Sequence, residues 1–244
     1  LSIAGHLCDA LDACDLSWAT GGDAPWGHQT EVAADGADAA RSGTLGASQT
    51  SWMETVVQGP VRIAFDWKVS SRSSHYLRFL VDGAAQASLS GEADWSRQLH
   101  DIASGVHTLR WAYATSATAP QGSNAAWVDR VAVDRLSISP ATLWVASGLP
   151  GGPFSPSTRT YVLTNSGALP LPWSVSCDAD WLEVSPASGE LPPNGSANVE
   201  LVLNGNANLK PLGTYPSQLV FSNLLAGFAQ ERPVLLATTG SLCD

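Results

Sequence analysis

Alternation of apolar and polar residues is the strongest pattern in the first half of the chain. In residues 61–69 (Val-Arg-Ile-Ala-Phe-Asp-Trp-Lys-Val) every odd-numbered position is apolar, whereas Arg62, Asp66 and Lys68 fall on the other face. Successive side chains of a β-strand point to opposite faces. The segment is therefore predicted to be a half-buried strand.

The same period of two recurs in residues 77–81, 109–113 and 127–133. After the first of these, Asp82-Gly83 is a strong hairpin signal, because Gly tolerates positive φ. Four residues of the last segment share one parity and are predicted to point inward together: Trp127, Asp129, Val131 and Val133.

Beyond Asp134 the chain changes to short apolar segments separated by Pro, Asn, Ser and Gly. Strands are predicted at 136–139, 161–165, 173–177, 197–203, 218–221 and 233–237. Such regular spacing over about 100 residues is typical of an immunoglobulin-like sandwich. The chain is predicted to be all-β, with one sandwich domain at 1–134 and a second at 135–244.

Composition agrees with this class and excludes some partners. The 244 residues include 22 Gly and 15 Pro, only 14% are charged, and the net charge is -10. Nucleic acids and anionic membranes are held mainly by clustered Lys and Arg, which this chain lacks. No apolar run approaches the roughly 20 residues that span a bilayer. We therefore expect no nucleic acid partner and no membrane insertion.

The four cysteines allow two interpretations. Cys8 and Cys14 are close in sequence, and Cys177 and Cys243 lie in the other half, which favours one disulfide in each half. The alternative is four reduced thiols. Neither pair has the CxxC spacing of a zinc or redox site.

Catalytic motifs are absent from the sequence. No serine stands in a G-x-S-x-G elbow, and the HExxH, P-loop and dinucleotide fingerprints are missing. Of the five histidines, His75 and His107 lie in or beside predicted strands and are expected to be packed or exposed instead of catalytic. The chain is therefore predicted not to be an enzyme, with a small hydrolase as the remaining alternative.

The first half contains a set of motifs at residues 11–26, 66–69, 76–79, 82–83 and 127–129. Together they resemble a jelly-roll module that is repeated in many bacterial exported proteins and is similar to the MAM and concanavalin-like groups. The resemblance covers about 10–134. It implies a jelly-roll β-sandwich and a secreted or cell-surface location.

The second half contains a set of motifs at residues 172–176, 181–189, 213–215 and 221–223. Together they resemble the immunoglobulin-like BACON group, which is widespread in exported multidomain hydrolases and for which a carbohydrate-binding role was proposed. The resemblance covers about 136–240.

Asp129 is the most distinctive carboxylate, because its parity places it among apolar residues. An unpaired buried charge is costly. Calcium, which binds hard oxygen ligands, is one way to satisfy it, with Asp12 as a second ligand. Many carbohydrate-binding jelly rolls, which this half resembles, place an Asp of the final strand on such an ion. The alternative is a hydrogen bond to side-chain or backbone groups.

Trp26 and Trp95 are the candidate ligand-binding residues, since both occupy turn-like sequence contexts. An indole in such a place either caps the core or contacts a partner, and exposed aromatic faces stack on sugar rings.

Three functions follow from these features. The first is a non-catalytic accessory region that attaches a larger protein to polysaccharide or a surface glycoprotein, as in cell adhesion, and positions an attached catalytic domain such as a hydrolase. The second is a structural spacer without a ligand. The third is the small hydrolase.

Overall fold

A computed structural model describes residues 6–240 of the chain. The chain divides after Val133 into two compact units, which we call unit 1 and unit 2. The described residues contain two short 3-10 helices, Asp9–Leu11 and Gly205–Leu209, and otherwise strands and loops. None of these helices has the length and apolar character needed to cross a membrane.

Unit 1 is built on one antiparallel network of strands. In chain order its strands are β1 (Trp18–Gly22), β2 (Gly27–Gln29), β3 (Ala39–Arg41), β4 (Thr50–Ser70), β5 (Tyr76–Val81), β6 (Ala84–Ser90), β7 (Glu92–Ala114) and β8 (Ala125–Asp134). They pair in the order β2-β3-β8-β4-β7-β5-β6, and β1 also pairs with β4. The strands predicted at 61–69, 77–81, 109–113 and 127–133 are all present.

The long strands β4 and β7 fold this network into two layers. Met53 of β4 lies opposite Trp111 of β7, yet the ring of Phe65, 12 residues further along β4, is only 5.1 Å from the Trp111 ring. A straight strand of that length would span about 40 Å, so β4 must bend back. The register shifts next to Gly59, where an added Cβ atom would collide with the Ala103 carbonyl oxygen. Unit 1 is therefore a β-sandwich with its core between the layers.

The predicted inward face of β4 is confirmed, because its odd-numbered apolar residues from Val61 to Val69 are all buried. Asp66, on the face predicted to be exposed, is also buried. Its carboxylate accepts a hydrogen bond from Arg97 Nη1 at 3.2 Å and pairs with the Arg130 guanidinium. These two arginines cover the outer face of β4 at this point.

The predicted parity of β8 is wrong up to Asp129 and right from Val131 onward. Val128 and Val131 both belong to the core of unit 1, although strict alternation would place them on opposite faces. Between them, Arg130 has a φ of 48°, in the left-handed region. This irregularity reverses the alternation, so Trp127 and Asp129 lie on the face opposite Val131 and are buried outside the main core.

Unit 2 is an immunoglobulin-like sandwich of two sheets. Its strands are β9 (Leu136–Ser139), β10 (Trp144–Gly148), β11 (Phe154–Ser155), β12 (Thr158–Asn165), β13 (Leu171–Cys177), β14 (Leu182–Ser185), β15 (Ser188–Leu191), β16 (Ser196–Leu203), β17 (Gly213–Asn223) and β18 (Phe228–Thr238). The sheets have the orders β11-β10-β18-β17-β13-β15 and β14-β16-β12-β9. All six predicted strands are present, and β10, β11, β14 and β15 were not predicted. Trp144, Tyr161, Trp173 and Phe221 fill the core between the sheets.

Candidate functional site

Three aspartates from distant parts of unit 1 meet in one cluster. Asp12, Asp35 and Asp129 each offer a carboxylate oxygen, and these oxygens lie within 4.8 Å of one another. Asp12 ends the first 3-10 helix in a left-handed conformation. Asp35 lies in the loop between β2 and β3, where it accepts a hydrogen bond from the Ala37 N–H at 2.7 Å. Asp129 comes from β8. We call these three residues the acidic cluster.

Backbone donors satisfy part of Asp129. Its Oδ2 accepts the N–H of Ala34 at 2.7 Å, and its Oδ1 accepts the N–H of Arg130 at 2.6 Å. Burial nevertheless raises the pKa of Asp129, and the charge of Asp35 adds to the increase. Burial also raises the pKa of Asp12, with further contributions from nearby acids. The charge of Arg130 acts on Asp12 in the opposite sense, but this one arginine also pairs with Asp66. The cluster therefore lacks enough positive charge to balance its three acids.

The donor set of the acidic cluster fits calcium. Calcium binds carboxylate oxygens at about 2.3–2.6 Å, so two oxygens on one ion are separated by at most roughly 5 Å. The observed oxygen spacing lies within that limit. Both predicted ligands, Asp12 and Asp129, are in the cluster, and the backbone hydrogen bonds foreseen as the alternative are also present. Asp35 was not predicted, because it lies in a loop, and its only signal is the neighbouring Gly36 of an Asp-Gly turn.

The cysteines of unit 1 form a disulfide between Cys8 and Cys14, as predicted for that half. Their nearby Asp9 therefore does not join two thiolates in a metal site. Cys177 is a free, partly buried thiol with its Sγ 3.6 Å from Ser217 Oγ. The structure thus does not show the second predicted bridge, and Cys243 lies outside the described residues.

Trp26 is not available to a ligand. Only 3% of the residue is exposed, and it belongs to the core of unit 1. Its backbone N–H donates to Thr20 Oγ1 at 2.7 Å, which holds the turn against β1. Its prediction as a ligand-binding residue is therefore wrong, and the indole caps the core.

Trp95 is partly exposed and lies within β7 instead of in a turn. The register of β4 and β7 shifts here, so that Asp94 and Trp95 both lie opposite Lys68. Such a bulge redirects side chains locally. Lys68 Nζ lies 2.6 Å from Asp94 Oδ1, which also accepts the backbone N–H of Trp95 at 2.9 Å. Trp95 thus directly follows a residue of an ion pair.

Two histidines of unit 1 pair with acids. His107 Nδ1 lies 2.7 Å from Asp82 Oδ2, and His28 Nε2 lies 2.9 Å from Asp38 Oδ2. Within residues 6–240, however, no serine hydroxyl is hydrogen-bonded to a histidine. A serine nucleophile paired with a histidine base is therefore not found in the described part of the chain.

Comparison with known proteins identifies part of unit 2. Residues 135–223 match the family model described as the viral BACON domain. The BACON-like part of the predicted resemblance is therefore confirmed for this segment. A search of curated proteins found no match.

Solved structures that match part of this chain include one chaperone and two domains from animals. The YadV chaperone is 13% identical over 45% of this chain and 55% of that chain, with a TM-score of 0.34. The PapD-like domain 7 of human CEP192 is 14% identical over 44% of this chain and 87% of that chain, with a TM-score of 0.35. SSP-19 of Caenorhabditis elegans, described as an MSP-domain protein like family member, is 14% identical over 43% of this chain and 99% of that chain, with a TM-score of 0.29.

The match thus spans only about half of the chaperone's length. None of these descriptions names an enzyme. Residues 135–223 of this chain are similar to the viral BACON domains.

Proposed function

We propose that the chain is a non-catalytic accessory region of a larger secreted or cell-surface protein. Unit 1 binds glycan or a surface glycoprotein, and unit 2 positions an attached catalytic domain such as a hydrolase. In this proposal unit 1 is a jelly-roll module of the MAM and concanavalin-like type, and unit 2 is a BACON-like domain. The matching family is described as viral. The larger protein in this proposal is therefore either bacterial or viral.

Trp95 is the observation that carries the binding proposal. The residue is partly exposed on a strand, at a bulge where regular alternation is interrupted. Aromatic rings offer a flat apolar surface at low conformational cost. The adjacent Lys68 and Asp94 supply a donor and an acceptor for hydroxyl groups. A flat ring beside paired polar groups suits the alternation of apolar faces and hydroxyls on a sugar.

Calcium is the second part of the proposal. Asp12, Asp35 and Asp129 would hold the ion, with backbone carbonyls or water completing its coordination. When bound, the ion supplies the positive charge that the acidic cluster lacks. The protein's own contribution is to bring the first 3-10 helix, the loop between β2 and β3, and β8 to one point.

A glycan array probed with the full chain tests the binding function. We expect binding to at least one glycan class, and Trp95→Ala should weaken it roughly 10-fold, the effect of about 1.5 kcal/mol from one aromatic contact. Leu99→Ala is the matched control, because Leu99 is an exposed apolar residue, 59% accessible, on the same strand. Absence of binding across all classes would refute the function.

The burial of Trp26 favours a second candidate, a structural spacer without a ligand. It removes one of the two tryptophans on which ligand binding was predicted. A spacer predicts no binding to any glycan or glycoprotein, with or without Trp95.

A further inference from the structure

The outer face of unit 1 carries another group of aromatic and charged residues. This group includes neither Trp95 nor any residue of the acidic cluster. Ala112 of β7 lies opposite Trp52 of β4 on one side and Arg78 of β5 on the other. Ala114, two residues further, lies opposite Tyr76 of β5. Tyr113, which lies between the two alanines in β7, belongs to the core. Ala112, Ala114 and the residues opposite them therefore face away from the core.

These residues form a shallow trough. Its floor consists of two small side chains on the middle strand, while larger side chains stand on both neighbouring strands. Adjacent strands are about 4.8 Å apart, so β4 and β5 are separated by about 9.6 Å. We call this feature the Ala112 trough and define it by Ala112, Ala114, Trp52, Tyr76, Arg78 and Arg110.

An arginine lies against an aromatic ring on each side of the trough. Arg78 and Tyr76 are both on β5, whereas Arg110, two residues before Ala112 on β7, ends the alanine floor and lies against Trp52 of β4. Arg110 Cζ lies 4.5 Å from the ring centroid of Trp52, and Arg78 Cζ lies 4.9 Å from that of Tyr76. The Trp52 indole lies over Gly21 of β1, where a Cβ atom would come within 2.6 Å of the ring. Glycine at this position therefore allows the indole to lie close to the sheet.

The two guanidinium groups differ in their charge partners. Arg110 Nη2 lies 2.5 Å from Glu54 Oε2, so its charge is already balanced. Arg78 is exposed and makes no salt bridge with any residue in 6–240. An unbalanced arginine is notable in a chain of net charge -10. A guanidinium offers two parallel N–H donors that match a planar carboxylate.

We infer that the Ala112 trough binds an acidic saccharide of the uronate class. The carboxylate of the sugar pairs with Arg78, and its ring lies on the alanine floor beside Tyr76. The floor covers one two-residue repeat of a strand, roughly 7 Å, which accommodates one six-membered ring. This inference rests on the proposed glycan-binding function and adds to it a ligand class and a second contact surface.

Binding of polygalacturonate to the full chain, measured by calorimetry at physiological salt, tests the inference. Fully methyl-esterified polygalacturonate has the same rings without charge and should bind at least 10-fold more weakly. Arg78→Gln removes a charge-assisted pair and should weaken polygalacturonate binding roughly 10-fold to 100-fold. Arg62→Gln is the matched control, since Arg62 is an exposed arginine of β4 whose Nε lies 2.7 Å from Asp101 Oδ1.

Each other outcome has a defined meaning. Absence of polygalacturonate binding overturns the inference, and so does an equal loss in the Arg62 and Arg78 variants. Equal binding of dextran sulfate indicates attraction to charge alone and also overturns it. Thermal unfolding of each variant verifies that the fold is retained.

The Trp95→Ala variant separates this inference from the proposed function. Loss of polygalacturonate binding with Arg78→Gln, and its retention with Trp95→Ala, supports the trough. Glycan binding that depends on Trp95 and is unchanged by Arg78→Gln overturns the trough while the proposed function stands. If no glycan of any class binds, both fail.

Discussion

Asp66 and Asp129 are equally buried aspartates of unit 1 with opposite surroundings. Asp66 lies between the guanidinium groups of Arg97 and Arg130. Asp129 accepts two backbone N–H groups but shares its space with two further carboxylates. Burial alone therefore does not distinguish a structural acid from a candidate ion site. The balance of charge among the neighbouring residues distinguishes the two aspartates.

Unit 2 stabilises its own buried aspartate in a third way. Asp134 Oδ1 accepts the side-chain amide of Asn223 at 2.9 Å and the N–H of Leu136 at 3.1 Å. Its Oδ2 accepts the amide of Gln230 at 3.1 Å. Neutral donors thus replace the arginines used at Asp66. Of these three sites, the acidic cluster is the one where an added cation should have a large effect.

Calcium should have the largest effect. At 100 times its dissociation constant an ion that binds only the folded state stabilises it by about 2.7 kcal/mol. We expect scanning calorimetry of the full chain to show a higher unfolding temperature in calcium than in EDTA. Asp129→Asn should abolish most of that increase, because the buried ligand loses its charge.

Asp180→Asn is the control for the calcium experiment. Asp180 is an exposed acid of unit 2 that pairs with Lys210 at 2.8 Å, and its loss should leave the calcium effect unchanged. In EDTA, Asp129→Asn should cost less than in calcium, since it also removes a repelling charge. Identical unfolding temperatures in calcium and EDTA would break the contrast between Asp129 and Asp66.

Removal of the charge of Asp66 should have the next largest effect. Asp66→Asn loses charge-assisted hydrogen bonds, and we expect a cost of about 2 kcal/mol in the free energy of unfolding. The two arginines are partly exposed, so water compensates for some of the loss. Asp134→Asn in unit 2 should cost about 1 kcal/mol, because its donors are neutral. Urea unfolding of both variants measures the difference, and equal costs would contradict this ranking.

The pair of His107 and Asp82 should have the smallest effect on stability, because it lies at the surface. The hydrogen bond that the His107 ring donates to Asp82 raises the pKa of His107 above its ordinary 6.5, and the same bond lowers the pKa of Asp82 below 3.8. The stabilisation that depends on protonated His107 is fully present below pH 6.5, and it is lost as the pH rises through the raised His107 pKa. It is also lost as pH falls through the lowered Asp82 pKa.

An NMR titration of the His107 ring checks this pH dependence. Asp82→Asn should move the His107 pKa back toward 6.5. The ring of His100 is the internal reference, because burial lowers its pKa and Asp82 is not among the groups that shift it. An unchanged His107 pKa in the variant would show that the pair does not form in solution.

Local pattern predicted the strands well where one face is buried. The odd-numbered residues of 61–69 are all buried because the two-residue period of a strand is a property of the backbone. The same rule failed at Arg130, because one residue in the left-handed region reverses the alternation and no residue type marks it. Trp127 and Asp129 were therefore assigned to the wrong face although their burial was anticipated.

The candidate site was predictable only in part. Asp129 was identified because a carboxylate among apolar residues is unusual, and Asp12 because it lies near the first strand. Asp35 was missed because loops have no period from which a position in space can be inferred. The trough was missed as well, since Ala112 and Arg78 are ordinary strand residues until β4, β5 and β7 are placed side by side.

The sequence by itself determined the all-β class and the alternation of the main strands. It also determined the change near Asp134 to short apolar segments separated by Pro, Asn, Ser and Gly. These properties depend on interactions between residues that are close in the chain. Tertiary structure alone decided that β4 bends back, that Trp26 enters the core and that three acids meet at one point. Such features depend on contacts between residues far apart in sequence, whose geometry no local pattern encodes.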